Sequence, residues 1–434
     1  MPEIETRTMR HIFLRLIPFL MICYFVAYLD RVNVSFASLT MNKDLGLSSA
    51  AYGFGAGVFF ISYFLFEVPS NIILERVGAR RWIARIMLTW GVLSGAMAFV
   101  QGPTSFYVMR FLLGAAEAGF FPGIIFYLGL WFPRAYRGRI ITAFMFAIPL
   151  SSMIGSPISG ALLGLDGMGG LKGWQWLYII EAAPAIILSV CVFFYLTDKP
   201  ADAKWLPKDE KDWLMGRLAL EESSSAPTEH VGFAATLKTL ANPAIFYLSV
   251  IYFALAALNY GFGFYAPQLL SGLGVSNQSI GWLMTIPAAV GALGMLLWGR
   301  RSDAKNERRL HLAFAAMCSV VGLVGAGLSH DVYLTMACLI IVGFGVSAAA
   351  IFWTIPGSFL SGSAAAAGIA AISSCGQFAG FVSPYAIGYL KETTGEFLYG
   401  LVAVAGMGLV GIALLLVYIR PEQVSVPNSV AAHP

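Results

Sequence analysis

A chain of 434 residues that is 58% hydrophobic and only 12% charged, with a mean hydropathy of +0.75, lies well outside the soluble globular range. It reads as an integral membrane protein, and its formal charge of +4 is less informative than where the charges fall.

The apolar runs are longer than outer-membrane strands and lack period-two alternation, which predicts a helical bundle and not a barrel. Twelve spans are expected, at about 14–38, 51–73, 82–101, 104–132, 140–164, 175–197, 243–270, 279–299, 311–328, 333–360, 363–390 and 397–419. The first eleven residues are polar, and the run after them has no small-residue cleavage site, so no cleaved signal is expected. All five cysteines (Cys23, Cys191, Cys318, Cys338, Cys375) fall inside spans, which predicts neither a disulfide framework nor a structural metal. Of the 27 Lys and Arg, only Lys43, Lys172 and Lys391 fall in loops on one side, and Arg31 and Arg110 lie within spans. The remainder sit on the other side or at its edge, so the positive-inside rule puts both termini in the cytoplasm.

In chain order, the first anomaly is Asp30-Arg31 in span one. Adjacent helical residues point about 100 degrees apart, so one can face a cavity and the other a neighbouring helix. After span two comes a charged loop with Glu75, Arg76, Arg80 and Arg81, of a kind that can latch one state of a moving protein. Span four carries Arg110 and Glu117, seven residues apart on one helix face and about 10 Å apart along the axis, too far to pair directly. Intramembrane charges cost at least a few kcal/mol unless they face protein or water, which makes these four functional candidates. Buried ion pairs that only fix packing are the alternative. On the functional reading Arg31 and Arg110 grip an anion, since guanidinium stays charged and binds carboxylate bidentately, while Asp30 and Glu117 carry protons. Glu67 and Glu181 lie near span ends, where snorkelling or pairing with a loop arginine favours a structural role.

Residues 199–242 form a polar linker between two sets of six spans, with one short amphipathic helix expected near Asp209 to Glu222. The expected divisions are thus a first bundle over 1–198, the linker, a second bundle over 243–420 and a cytoplasmic tail over 421–434. The two halves look like repeats. The charged loop starting at Asn71 has a counterpart at Gly299, including Asp303, 228 residues later, and Ser156-Pro157 returns as Ser383-Pro384 after 227. Shifted by this offset, Arg110 and Glu117 land on Cys338 and Gly345, so the charge chemistry belongs to the first half. The second half offers neutral donors, namely Asn259, Tyr260 and Tyr265 in span seven and Ser373 and Gln377, four apart, in span eleven. Gly and Pro are dense in spans five, eight, ten and eleven, which suits close packing and kinks along a moving pathway. No phosphate loop, metal-binding histidine arrangement or basic nucleic-acid groove is present, so neither catalysis nor a cofactor is expected.

Several stretches together resemble the major facilitator superfamily and, within it, the anion:cation symporter family. They are Tyr28-Leu-Asp-Arg-Val-Asn33, Phe66-Glu-Val-Pro-Ser-Asn71, Gly78-Ala-Arg-Arg-Trp82, Gly173-Trp-Gln-Trp176 and, most specifically, the span-four run from Arg110 to Pro122. The resemblance covers nearly all spans and implies an all-α membrane fold of two pseudo-symmetric six-helix bundles rocking around a central site. It implies Arg31 and Arg110 as carboxylate ligands, Tyr28 and Tyr63 as cavity-lining hydroxyls, and Asp30 and Glu117 as protonation sites. The expected partners are a small organic anion, protons and membrane lipid, with the protein a monomer in a bacterial inner membrane. Departures narrow the substrate. Asn71 and Glu75 replace Gly and Asp, Ile148-Pro149 stands where sugar-acid members carry a polar amide, and Ser373 and Gln377 stand where many members carry asparagine. A hydroxy-dicarboxylate of tartrate type is therefore expected more than a sugar acid. A proton-antiport exporter and a non-transporting sensor are the rival readings.

Overall fold

Long apolar segments in lipid must satisfy their backbone internally, and they do so here as helices. The computed structural model describes residues 2–223, 240–356 and 363–420, and among these no strand occurs. The first half holds α1 (Pro2–Asp44), α2 (Ser49–Val77), α3 (Ala79–Ala96), α4 (Pro103–Glu117), α5 (Phe120–Trp131), α6 (Arg134–Met145), α7 (Ala147–Leu162) and α8 (Gly173–Tyr195). A helix α9 (Lys208–Ser223) follows, and then α10 (Pro243–Gly272), α11 (Asn277–Ala304), α12 (Arg309–Leu328), α13 (Val332–Gly345), α14 (Ser347–Phe352), α15 (Ser363–Thr394) and α16 (Phe397–Tyr418). Eleven stretches are long and apolar enough to cross a bilayer, taking α4–α5, α6–α7 and α13–α14 as one span each. The twelfth is α15. The expected tail at 421–434 and residues 224–239 of the linker lie outside the described residues.

Two bundles result. In the first, α1 packs on α7 and α8, α3 on α8 and α4, and α2 on α4; in the second, α10 packs on α15 and α16, α12 on α13 and α16, and α11 on α13. Three spans expected to be continuous are broken. Span four stops at Glu117, passes Gly119 in the left-handed region (φ 87°) and restarts at Phe120. A side chain at Gly119 would also run into Ser70 of α2, so glycine is required twice over. Span ten breaks at Val346, 228 residues after the equivalent Ala118 (118 to 346), so the break itself follows the repeat. Span five breaks at Phe146 and begins earlier than expected, at Arg134.

The bundles meet at the end away from the termini, along α2 with α15 and α7 with α11. Glycines make the approach close: a Cβ on Gly57 would lie 2.8 Å from the Phe381 ring, and one on Gly281 would lie 2.7 Å from the Ser156 carbonyl oxygen. Hydrogen bonds cross the same seam. The Tyr52 hydroxyl donates to the Phe264 carbonyl (3.2 Å), Gln268 Nε2 to Ser38 Oγ (2.9 Å) and the Thr285 hydroxyl to the Met153 carbonyl (3.3 Å). At the rim, the Ala50 N–H in the first turn of α2 donates to the Glu392 carboxylate of α15 at 2.8 Å. A carboxylate at a helix N-terminus meets both free N–H groups and the positive end of the dipole. On the other side, α9 is fastened to the first bundle by Arg7 with Asp209 and Glu210 and by His11 with Glu210.

Hydrogen bonds from the Ser48 side chain and the Ala50 N–H hold the Glu392 carboxyl below the usual carboxylate range. A lowered value in the sealed state means that this anchor is at full strength above the ordinary Glu value of about 4.3 and is lost as pH falls through the lowered value. Glu392→Gln is expected to raise several-fold the labelling rate of a cysteine introduced at Ser49, in a chain without its five native cysteines, by an impermeant maleimide. An unchanged rate at neutral pH would show that the seal stands without this contact.

Candidate substrate and proton site

Arg31 lies midway along α1, where the two bundles face one another. Its guanidinium forms an ion pair with Glu117 at the end of α4, with side-chain exposures of 11% and 2%. The break after Glu117 ends the helix at the residue that makes this contact. Two aromatic rings of α2 flank the cation, Tyr63 at 5.2 Å and Phe59 at 5.6 Å from ring centroid to the guanidinium carbon. The Arg31 Nε has no partner. A half-committed guanidinium of this kind retains a donor for a second anion.

Around this pair, Tyr28 is half-buried on α1 and Tyr63 is buried on α2. From the second bundle, Tyr260 of α10 packs on Phe60 (4.6 Å between centroids) and its hydroxyl donates to Gln377 Oε1 of α15 at 3.2 Å. Ser373 is half-buried one turn from Gln377, and Asn259 is half-buried beside Tyr260. The structure thus gathers Arg31, Tyr28, Tyr63, Glu117, Tyr260 and Gln377 about one region. Tyr265 is elsewhere. It is buried in the seam, donating to the Pro384 carbonyl at 2.7 Å, with its ring edge-on to Tyr52 at 5.6 Å.

The other two intramembrane charges lie deeper in the first bundle. Arg110 is fully buried, donates to the carbonyls of Gly55 (3.3 Å) and Ala56 (3.1 Å), and stacks over Phe59 at 4.8 Å. It ties α4 to the backbone of α2, and its Nη1 has no partner. Asp30 is buried and accepts three hydrogen bonds, from Trp90 Nε1 (2.6 Å), Ser94 Oγ (2.7 Å) and Asn33 Nδ2 (3.2 Å). Sequence reasoning did not find Trp90 or Ser94, although their four-residue spacing puts both on one face of α3. It also placed Glu181 at a span end, within reach of water. The structure corrects this: Glu181 is 2% exposed, eight residues into α8, and accepts from Ser159 Oγ at 2.6 Å.

Two contacts of the charged loops stay within one bundle each. Arg80 meets Asp198 of its own bundle, its backbone N–H at 2.8 Å and its Nε at 3.7 Å, across Gly78 (φ 96°). Asp303 meets Arg308, 3.9 Å away in its own loop. Glu75 and Arg76 are exposed at the end of α2.

Residues 20–384 and 248–433 match the family model of the Major Facilitator Superfamily. The chain belongs to that superfamily. A superfamily member is a multi-pass membrane transporter and not an enzyme, in line with the eleven membrane-length stretches among the described residues and the pseudo-symmetry of the two bundles. The chain is 50% identical over 419 residues to a protein of Agrobacterium vitis provisionally named a tartrate transporter, covering 96% of both chains. It is 42% identical over 424 residues to a quinolone resistance transporter of Acinetobacter baumannii, covering 97% of both. Among solved structures, a bacterial homologue of the human lysosomal transporter Spinster, inward-facing and unoccupied, superposes with a TM-score of 0.76. It does so at 16% identity, over 95% of this chain and 98% of that one. That likeness carries the fold.

The Arg31–Glu117 pair gives a direct expectation for stability. Removing one member of a buried ion pair strands the other, at a cost on the order of 3 kcal/mol. Arg31→Ala and Glu117→Gln are each expected to lower the melting temperature in detergent, since each leaves the remaining side chain without its ion-pair partner. Arg31→Ala in a Glu117→Gln background should then cost less than in the wild type. Additive losses would contradict the coupling.

Proposed function

We propose that the protein is a proton-coupled symporter importing a small organic anion across a bacterial inner membrane by alternating access. The substrate is a hydroxy-dicarboxylate such as tartrate, or a related sugar or aromatic acid. The observation that carries this reading is the half-committed Arg31: one edge is held by Glu117 while Nε has no partner. An incoming carboxylate competes with Glu117 for the same guanidinium. Once displaced, Glu117 is a buried carboxylate without its cation, and taking up a proton relieves it. Anion binding and proton uptake are thereby linked at one side chain.

The remaining residues take supporting roles. Tyr28 and Tyr63 from the first bundle, and Tyr260, Asn259, Ser373 and Gln377 from the second, offer hydroxyl and amide contacts to the far end of the substrate. Tyr265 acts through the seam. Arg110 contributes positive potential and holds α2 against α4, and Asp30 is the second proton carrier. The basic bias of the loops puts the termini in the cytoplasm, which makes the sealed end the external one and leaves the site to exchange with the cytoplasm. Glu75, Arg76, Arg80 and Asp303 form the opposite gate when the bundles rock. Residues 1–198 and 243–420 move as the two bodies, with α9 strapped to the first. Energetics favour protons as the co-substrate. Moving one negative charge inward costs about 2.3 kcal/mol per 100 mV, so each needs at least one compensating proton.

The likeness to a quinolone resistance transporter supports a second reading, a proton-antiport exporter of drugs or metabolites. The two readings diverge at Arg31 and Arg110, which a bulky cationic or zwitterionic drug does not need. In proteoliposomes with an imposed inward proton gradient, wild-type protein is expected to accumulate labelled tartrate or a related dicarboxylate. Arg31→Ala and Arg110→Ala are expected to abolish binding, while Glu117→Gln keeps exchange and loses accumulation. Gradient-driven accumulation in Glu117→Gln, or drug efflux that survives both arginine replacements, would overturn the symport reading.

A further inference from the structure

A polar stripe runs along α2 from the site toward the side of the termini. Tyr63, Glu67, Asn71 and Glu75 recur every four residues, with about 6 Å of rise and 40 degrees of drift per step, so they follow one slowly turning line. At one end the Tyr63 ring lies 5.2 Å from the Arg31 guanidinium, and at the other Glu75 is exposed. Glu67 is half-buried and ten residues inside the helix (67 to 77), not at its end as expected. At about 100 degrees per residue, its side chain leaves the helix about 160 degrees from Leu65 and 140 degrees from Ile72, which are 52% and 41% exposed on the outer face. It therefore looks inward, one turn past Tyr63 and away from the sealed end, where α2 packs on α15 at Gly57 and Phe60.

Among the described residues no hydrogen bond or ion pair holds the Glu67 carboxylate; Asn71 Nδ2 donates to its backbone carbonyl instead, at 3.0 Å. The charged groups on the helices around α2 are committed elsewhere. On α4, Arg110 holds the Gly55 and Ala56 carbonyls, and on α3, Arg80 meets Asp198 while Arg81 and Arg85 are exposed. On α15, Lys391 lies over the Phe397 ring and Glu392 sits at the first turn of α2; midway along α1, Asp30 has its three neutral donors. On α5 there is no charged residue. What meets the stripe is the Arg31–Glu117 pair, across Tyr63. A carboxylate inside a span with neither cation nor donor is a costly packing aid. The repeat does not ask for one, since 228 residues on, Glu67 lands on Met295.

We infer that Glu67 is the proton relay between Glu117 and the water on the side of the termini. The inference rests on the proton-coupled reading above. As Arg31 and Glu117 pair again after the substrate leaves, the O–H bond of Glu117 breaks and its proton passes, through water in the site, to a carboxylate oxygen of Glu67. Glu67 then gives the proton to bulk water at the open end and is ionised again. An acceptor one turn from the pair, and not itself held by Arg31, divides one long transfer into two short ones. The relay therefore sets how fast the proton leaves and not how many protons move with the substrate.

Proteoliposomes with an imposed inward proton gradient and labelled tartrate separate rate from coupling. Glu67→Gln is expected to cut the initial rate of uptake at least fivefold, to reach the wild-type accumulation at long times, and to keep wild-type counterflow at equal pH on both sides, since exchange needs no proton release. Glu67→Asp, which keeps the carboxylate, is expected to recover most of the rate. Binding of the ligand to purified Glu67→Gln should still take up protons from solution as the wild type does, because the relay changes no equilibrium. A wild-type uptake rate in Glu67→Gln, a parallel loss of counterflow, an Asp variant as slow as the Gln variant, or a Gln variant that fails to fold by gel filtration overturns the relay. Loss of the binding-linked proton uptake would make Glu67 the coupling site and also contradict it. A wild type that accumulates neither tartrate nor another dicarboxylate under the gradient overturns the symport reading, and the relay with it; a wild type that accumulates beside an unaffected Glu67→Gln overturns the relay alone.

Discussion

A charged side chain inside a bilayer must have a counter-charge, neutral hydrogen-bond partners, water or a proton for company, and this constraint accounts for the arrangement of the first bundle. Arg31 and Glu117 answer it with each other. Arg110 answers it with backbone carbonyls of α2, and Asp30 with three neutral donors. Of these three, it is the Arg31–Glu117 pair that lies between the bundles with a donor to spare. It is therefore the pair that a substrate anion can open at least cost, because the arginine exchanges one carboxylate for another. On the proposed function the glutamate then needs a proton, and that need is what would couple the two fluxes.

The two bundles share a scaffold and divide the work. The repeat extends to the helix breaks, since Ala118 and Val346 interrupt spans four and ten at equivalent positions. At the first break the residue before the interruption is Glu117; at the second it is Gly345. One interruption holds an ionisable group at the end of a helix, and the other lets a helix pack closely. Glycines at Gly57 and Gly281 allow the bundles to touch at the sealed end, where backbone contact and neutral hydrogen bonds do the holding. A seam with few charges can part without stranding any, which suits a protein that must open there. The exception, Glu392 at the rim, is reachable by water and so is inexpensive to release.

Much of this was legible in the sequence. Hydropathy marked the stretches that form the eleven membrane-length helical segments among the described residues, and two landmarks with offsets of 227 and 228 exposed the repeat. The cost of intramembrane charge singled out Asp30, Arg31, Arg110 and Glu117. What spacing could not show was which charge meets which. A seven-residue interval says that Arg110 and Glu117 share a face, but the left-handed turn at Gly119 and the approach of α1 decide that Glu117 belongs to Arg31. Trp90 and Ser94 carry no charge, so nothing marked them as the donors to Asp30. Glu181 was misplaced because a few residues at a span end separate an interfacial glutamate from a buried one. Tyr265 looked like a cavity hydroxyl because its part in the seam depends on the distant Pro384 carbonyl of α15 and on the Tyr52 ring of the other bundle.

The central claim is that an incoming carboxylate takes Arg31 from Glu117, which then takes up a proton. Proton exchange during binding tests it directly: tartrate, or the best-binding carboxylate from a panel, is added to purified protein in weakly buffered solution near neutral pH. The account expects net proton uptake from solution as the ligand binds. It expects that uptake to disappear in Glu117→Gln, which should still bind the ligand. Saturable binding with no proton exchange, or the same uptake in Glu117→Gln, would contradict it.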